Sequence, residues 1–570
     1  MCGIAVIAGP GAAYHRPALH GMLRQLTHRG PDGEGESACP SCLLGHRRLS
    51  IIDREGGAQP LQNPMYGLSV VCNGEIYNFR ELRRQLSFPY QTRSDSEVLL
   101  AAYAAYGIEL CGHLRGMFAF ALWDERRRRL ICGRDRFGEK PLYYAFASDG
   151  SLLIASEIKA LLASGLLRPR MDRQALAAYL QLRFVPEGLS MFAGIRQLPP
   201  GHCMVWEEGR LRLFRYWEPP AASACIPSED EAAEELRRLL ERAVRRCLVA
   251  DVEVGLLLSG GQDSTSIAAL MARMRKGQAF ALGVGGGKDE LAYARAAARC
   301  YGFSLDEVAC TGLDVPSLLL ELPGIYDEPL ADTSCLPTLL LCRHVSRSVK
   351  VALSGDGGDE LLGGYGWYAG LAARAARQSR CERGWTCFAA AHMAGRLVCD
   401  AAEISAAGLE PYIVSLPHHL DSTFTDALRL DTMYFLPADI LKKTDRAAMS
   451  CGLELRAPFL DTELADFVFG LPWNMKHDGV RGKKLLRRAF AEIWPDEVRR
   501  RPKQGFGLKT GELLRRDDVD ILIHDMLFDR RLRIWKLFPE AWLQRHLQAR
   551  KAMMWNLLIL SLWVEHYRMA

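Results

Sequence analysis

Val252-Glu253-Val254-Gly255-Leu256-Leu257-Leu258-Ser259-Gly260-Gly261-Gln262-Asp263-Ser264-Thr265-Ser266 is the stretch around which the chain is organised. Its opening apolar run reads as a buried parallel strand. A helical pattern follows it (Ile267, Leu270, Met271, Met274). Between them, two glycines let the backbone turn tightly and approach a bulky anion. Free N–H groups at the start of the helix then point at that anion. Ser259, Ser264 and Thr265 add hydroxyl donors, and Asp263 can hold a divalent cation on the phosphates. The plain alternative is an ordinary Gly-Ser turn between strand and helix.

The loop lacks the lysine and the glycine spacing of Gly-x-x-x-x-Gly-Lys-Ser/Thr. Ser-Gly-Gly-x-Asp-Ser after a strand instead resembles the pyrophosphate loop of the ATP pyrophosphatases, which cleave ATP to AMP and pyrophosphate. A second loop of the same kind, Ser354-Gly355-Asp356-Gly357-Gly358-Asp359-Glu360, follows the apolar Val351-Ala352-Leu353. Strands alternate with helices in between: Ala279–Val284, a helix from Glu290 to Tyr301, and a strand near Leu305–Val308. That alternation predicts a doubly wound parallel sheet, with ligands beyond the carboxyl ends of its strands. Both loops then open on one edge, and Asp359 can join Asp263 around one Mg2+. Asp356 is a second acid there and a candidate proton acceptor.

Several further segments belong with these loops: Tyr326-Asp327-Glu328-Pro329, Ala331-Asp332-Thr333-Ser334, Lys443-Thr444-Asp445-Arg446, Glu454-Leu455-Arg456-Ala457-Pro458, Gly482-Lys483-Lys484 and Arg501-Pro502-Lys503-Gln504-Gly505. As an ordered set they resemble the synthetase half of the glutamine-dependent asparagine synthetases. The resemblance implies ATP held by Leu258, Ser259, Gly260, Gly261, Asp263, Ser264, Leu282, Ser354 and Gly355, with Mg2+ on Asp263 and Asp359. Lys483 is the candidate to neutralise the leaving pyrophosphate and the charge at the acyl carbon.

The chain opens Met1-Cys2-Gly3-Ile4. With Met1 removed, Cys2 would carry a thiol and a free α-amine, whose ordinary pKa of ~7.7–8 suits it to take the thiol proton. A buried strand cysteine is the competing reading. Three further segments tip the balance: Thr27-His28-Arg29-Gly30-Pro31-Asp32, Gly45-His46-Arg47-Arg48, and Cys72-Asn73-Gly74-Glu75 with Arg93-Ser94-Asp95. Together they resemble the class II glutamine amidotransferase domain, a hydrolase with an N-terminal nucleophile. On that resemblance Cys2 attacks glutamine, and Asn73 with the Gly74 N–H forms an oxyanion hole. Arg48 forks the substrate's α-carboxylate, Asp95 pairs with its α-ammonium, and Glu75 helps hold it.

Composition narrows the classes. A net charge of +5 on 570 residues leaves no dedicated nucleic-acid surface. Arg126-Arg127-Arg128-Arg129 reads as a solvated hairpin tip. Seventeen cysteines, an odd number without a framework, fit a reducing cytoplasm. Cys39-Pro-Ser-Cys42 has no second pair at metal spacing. Gly283-Val284-Gly285-Gly286-Gly287-Lys288 imitates a phosphate loop but lacks the required spacing. No apolar run approaches the ~20 residues of a membrane span.

The expected molecule is an α+β N-terminal-nucleophile sandwich (αββα) over residues 2–215, a Pro/Ala/Ser-rich linker at 216–229, and an α/β ATP-pyrophosphatase domain with a mostly helical end at 230–570. Its expected partners are glutamine, ATP and a carboxylate, aspartate first, with neither nucleic acid nor membrane; a homodimer is compatible with the resemblance. Three departures loosen the acceptor: Gln262 where leucine is common, a glycine-rich loop after Val284, and Asp306 where histidine is frequent. Relatives of this architecture amidate or cyclise other carboxylates. Two other classes remain alternatives: the same glutaminase domain fused to a phosphoribosyltransferase or sugar isomerase, and a non-catalytic sensor. The intact pyrophosphate loop opposes the first, and intact Cys2, Asp263 and Lys483 oppose the second.

Overall fold

The computed structural model describes residues 2–283, 290–309, 313–369, 397–412, 424–501, 507–549 and 552–569. Twelve antiparallel strands, β1 to β12, fill the first 215 residues in two six-stranded sheets. One runs β10 (Ile195–Gln197), β8 (Tyr143–Phe146), β9 (Leu152–Ala155), β1, β3 (Cys42–Arg48), β2 (Gly33–Cys39), and the other β12 (Arg210–Arg215), β11 (His202–Glu207), β7 (Arg129–Arg134), β6 (Gly116–Asp124), β5, β4 (Leu61–Asn63). β1 (Gly3–Ala8) is central in the first, and β5 (Leu68–Ile76) lies near one edge of the second.

Strand alternation builds the layers. Ile4, Val6 and Ala8 face Val71, Ala119, Ala121 and Trp123 across the interior between the sheets. Ala5 and Ile7 point the other way, onto α1 (Arg16–Gln25). On the far side, Val70, Cys72 and Phe120 pack under α2 (Phe79–Gln85) and α3 (Val98–Tyr106). The result is helix, sheet, sheet, helix. The chain leaves β9 (Leu152–Ala155) and enters α4 (Ile158–Ala163). Arg126 to Arg128 are exposed at the β6–β7 turn, as expected. Cys39 and Cys42 face each other across the β2–β3 turn as free thiols.

The segment 216–227 has no regular structure, and α5 (Glu229–Cys247) begins on a Ser228–Glu231 capping box. Beyond it lies a fully parallel sheet in the order β15-β14-β13-β16-β17. Here β13 is Val254–Leu257, β14 Gln278–Gly283, β15 Ser304–Ala309, β16 Val351–Leu353 and β17 Glu454–Arg456. Helices cover both faces. Ala279 and Ala281 of β14 join the core of α5, α6 (Gln262–Met271) and α7 (Glu290–Tyr301). Phe280 and Leu282 join the core of α8 (Val315–Tyr326) and α9 (Cys335–Val345). The first helical turn at Gly358–Leu362 is α10, and Lys442–Met449 is α11.

The strand order reverses between β13 and β16, the place where such sheets open a crevice at their carboxyl edge. The last sixty residues read as amphipathic, which fits Glu540–Ala549, where only Trp542, Leu543 and Leu547 are buried, but not the final helix. In α12 (Ala552–His566), residues 553–564 are buried all round. Trp563 Nε1 donates to the Asp327 carbonyl at 2.7 Å and Trp555 Nε1 to that of Ala331 at 3.0 Å. Among the described residues, no helix is long and apolar enough to cross a membrane.

Candidate functional site

A cavity of about 900 Å³ occupies that crevice. β13 delivers Leu258, Ser259, Gly261, Asp263 and Ser264 to its wall, and β14 delivers Leu282. β16 delivers Ser354, Gly355, Asp356 and Asp359. Two of the expected residues do not line this wall. Gly260 is not on the wall: its left-handed backbone (φ 70°) turns it against Tyr293 and Ala294 of α7, where no side chain fits. Thr265 is fully buried away from the cavity. Ser259 Oγ and Ser264 Oγ lie 3.1 Å apart, which ties the loop to the first turn of α6.

Lys483 enters from the far end of the sequence. Its backbone is left-handed (φ 56°), unusual for a side-chain-bearing residue. Its ammonium sits between Asp263, in a very short ion pair, and Asp359, at 2.6 Å. Burial opposes that charge, but the two carboxylates hold the Lys483 pKa above its usual value. Two carboxylates converging on one cation beside a phosphate-sized crevice also suit Mg2+, which is held by one or two carboxylates plus substrate phosphates. Asp356 accepts from Ser354 Oγ at 2.9 Å. Burial pushes the Asp356 carboxyl up, partly offset by that bond and by Lys443.

The second constellation lies between the sheets of the first domain. Cys2 is buried, and its backbone N–H donates to Asn73 Oδ1 at 2.9 Å. That bond orients the Asn73 amide and leaves its buried Nδ2 without a partner among the described residues. Burial pushes the Cys2 thiol up, while the charge of the amino terminus and the Leu49 backbone work against it. Asp95 accepts from the Ile76 N–H at 2.8 Å and is pushed up by burial. Glu75 is pushed well up, first by burial and then by Asp95. Arg48 lies at the end of β3, with its guanidinium held by the carbonyls of Ile52, Asp53 and Arg54 at 2.6 to 3.3 Å. Cys2, Asn73, Glu75 and Asp95 thus come together, with Arg48 clamped beside Leu49.

The two sites are joined by buried charge. Arg29 donates to the Cys2 carbonyl at 3.0 Å, to Glu157 at 2.8 Å, and in a fork to Asp445 on α11 at 2.8 and 3.0 Å. Glu75 is 3.4 Å from Arg456 of β17, which pairs with Glu454 at 2.6 Å.

Sequence reading grouped Asp332, Ser334, Lys443 and Arg501 only as segments; the structure puts all four on the cavity wall. Their spacing carries no signal, because they converge from distant elements. Asp306 faces away and pairs with His344 at 2.9 Å. The glycine-rich 284–288 stretch and residues 502–506 lie outside the described residues, as does Met1.

Residues 1–217 match the glutamine amidotransferase domain family, and residues 235–565 match asparagine synthase. The glutamine-hydrolysing asparagine synthetase 3 of Bacillus subtilis is 30% identical over 544 residues, covering 89% of this chain and 87% of its own. Asparagine synthetase 1 of the same organism is 32% identical over 529 residues, covering 85% and 83%. Amidase chry2 of Gibberella zeae is 30% identical over 606 residues, covering 89% and 88%. The chain, with its two domains in this order, therefore belongs to the glutamine-hydrolysing asparagine synthetase family.

Proposed function

We propose that this protein amidates the side-chain carboxylate of aspartate, using ammonia from glutamine and the energy of ATP cleaved to AMP and pyrophosphate. The observation that carries the reading is the convergence of the two strand-end loops, with Asp263, Asp359 and Lys483, on one cavity at the strand-order reversal. On this reading residues 2–215 are an N-terminal-nucleophile hydrolase of the αββα type, 216–229 the linker, and 230–570 a doubly wound ATP-pyrophosphatase domain.

The Cys2 sulfur attacks the glutamine amide carbon, with the α-amine freed by loss of Met1 taking the thiol proton. Asn73 Nδ2 and the Gly74 N–H stabilise the tetrahedral oxyanion, a role supported by the unused Nδ2 donor. Ammonia leaves, and water hydrolyses the thioester to glutamate. Arg48, Glu75 and Asp95 hold the substrate's charged ends.

In the second site, N–H groups of the Ser259–Ser264 loop hold the β- and γ-phosphates as a unit, with Leu282 and Leu258 beside the base and Ser354 and Gly355 beside the α-phosphate. Mg2+ on Asp263 and Asp359 would supply charge neutralisation to the phosphates. A carboxylate oxygen of the acceptor attacks the α-phosphorus, and pyrophosphate departs toward Lys483. Ammonia then attacks the acyl carbon and gives a proton to Asp356, whose raised pKa makes it the better base. AMP leaves with the oxygen it received.

The test is product analysis with ammonium as nitrogen donor. Aspartate labelled with oxygen-18 in its side-chain carboxylate should yield asparagine, pyrophosphate and labelled AMP. ADP as product would overturn the reading of the loop. AMP release that ignores aspartate but answers another carboxylate would overturn the acceptor alone.

A further inference from the structure

Asp332, Ser334 and Lys443 line the cavity yet have no part in the chemistry above. Lys443 Nζ donates to Asp332 Oδ2 at 2.7 Å and to Ser334 Oγ at 2.6 Å. Ser334 Oγ donates to Asp332 Oδ2 at 2.6 Å, and its backbone N–H donates to Asp332 Oδ1 at 2.9 Å. Burial opposes both charges, and each holds the other ionised.

An inventory of donors and acceptors shows what is left over. An ammonium has three N–H groups, and a carboxylate accepts at about four positions. Lys443 uses two donors on this cluster. Asp332 accepts two bonds on Oδ2 and one on Oδ1. That leaves one N–H of Lys443 and one lone pair on Asp332 Oδ1. The Asp332 side chain keeps 24% exposure against 7% for Lys443, so the opening of the pair is toward the cavity. Lys443 is also a cation acting on Asp356, which places the pair beside the group that receives ammonia's proton.

A sheltered pair of opposite charges with one donor and one acceptor to spare complements a zwitterion. We propose that Lys443 and Asp332 bind the α-carboxylate and α-ammonium of an amino-acid acceptor, so that its side-chain carboxylate alone is presented to the nucleotide. The proposal rests on the carboxylate-amidating reading of this cavity and adds the residues that select the acceptor. Asp332 is held in place by α12 through the Ala331 carbonyl, and Lys443 by α11, so the spacing is set by two rigid elements.

The test uses the full-length protein with ammonium as donor and pyrophosphate release as readout. Acceptors are aspartate, succinate (no α-ammonium) and 3-aminopropionate (no α-carboxylate). Asp332→Asn should raise KM for aspartate by about tenfold or more, the size of a lost charged hydrogen bond, and leave succinate turnover unchanged. Lys443→Met should do the same for aspartate and leave KM for 3-aminopropionate unchanged, with any kcat change through Asp356 common to both acceptors, while Lys443→Arg restores part of the KM loss. KM for ATP should move less than twofold in each, on the same scale. Parallel losses on aspartate and on the matching truncated acceptor would overturn the proposal, as would a selective rise in KM for ATP. If the wild-type protein ignores aspartate, the acceptor assignment above fails separately. This proposal then stands only if the carboxylate that does work is an α-amino acid, and falls if it is not.

Discussion

Cys2 and Lys483 are both buried, and in both cases the neighbours decide what the side chain can do. Cys2→Ala should abolish glutamine-dependent synthesis and spare synthesis from ammonium salts, since the ATP cavity holds no part of the thiol site. Loss of both activities in a folded protein would count against two separable sites. Lys476 is a purely structural contrast. Its ammonium is fully buried and makes no hydrogen bond among the described residues. Burial, and then Arg429, push its pKa down to about 7. In the unfolded chain the value returns to ~10.4, so between those limits the unfolded state binds the extra proton. Stability from this group therefore rises as pH climbs from about 7 toward ~10. Lys476→Met should stabilise the protein at pH 7 and below by up to ~4 kcal/mol, with the gain vanishing near pH 10. Equal gains in urea melts at pH 6 and pH 10 would refute the shift.

At the scale of elements, the two strand-end loops line the cavity to which the synthetase chemistry is assigned in our proposal, and each is legible for a physical reason. A buried parallel strand is apolar on both faces, so β13 and β16 stand out as short runs. A backbone that must approach phosphate needs glycine next to them. The helix bounds from Glu290 to Tyr301 were readable as well, because amphipathic period and turn residues agree there. The helix after the central loop ends at Met271 rather than Met274, since Met274 sits in the turn beyond it. Asp263→Asn or Asp359→Asn removes one of the two carboxylates around Lys483. Each should lower ATP turnover by orders of magnitude with either nitrogen donor, while basal glutaminase persists. Normal pyrophosphate release in either variant would remove the proposed Mg2+ ligand from consideration.

For the whole molecule, the decisive feature is the seam between domains. Arg29 reaches from the amidotransferase sandwich to Asp445, and the same guanidinium holds the Cys2 carbonyl. Asp445 lies two residues after Lys443 on α11, so one short helix touches both sites. Breaking one side of a buried pair leaves an uncompensated charge and typically costs ~3–5 kcal/mol. Asp445→Asn should therefore loosen the Cys2 segment, lowering glutamine-dependent synthesis about tenfold relative to the ammonia-dependent reaction. Equal losses in both assays would mean that the seam serves stability alone. The buried helix α12 acts at the same scale, with its tryptophans bonded to the segment that carries Asp332.

Local rules were enough for the sequence by itself to determine the two strand–glycine–helix loops and the alternation of strands and helices around them. Each depends on residues close together in the chain, where period, turn chemistry and spacing act directly. Tertiary structure alone decided which distant side chains share a wall. Lys483 against Asp263 and Asp359, Arg29 against Asp445, and Lys443 against Asp332 are contacts over 100 residues or more. So is part of the burial of α12, which is covered by its neighbours in the last sixty residues and, across more than 200 residues, by α8 and the Asp327–Ala331 segment. Contacts of that span are set by how cores pack and how charges are satisfied once water is excluded, and no local pattern encodes them.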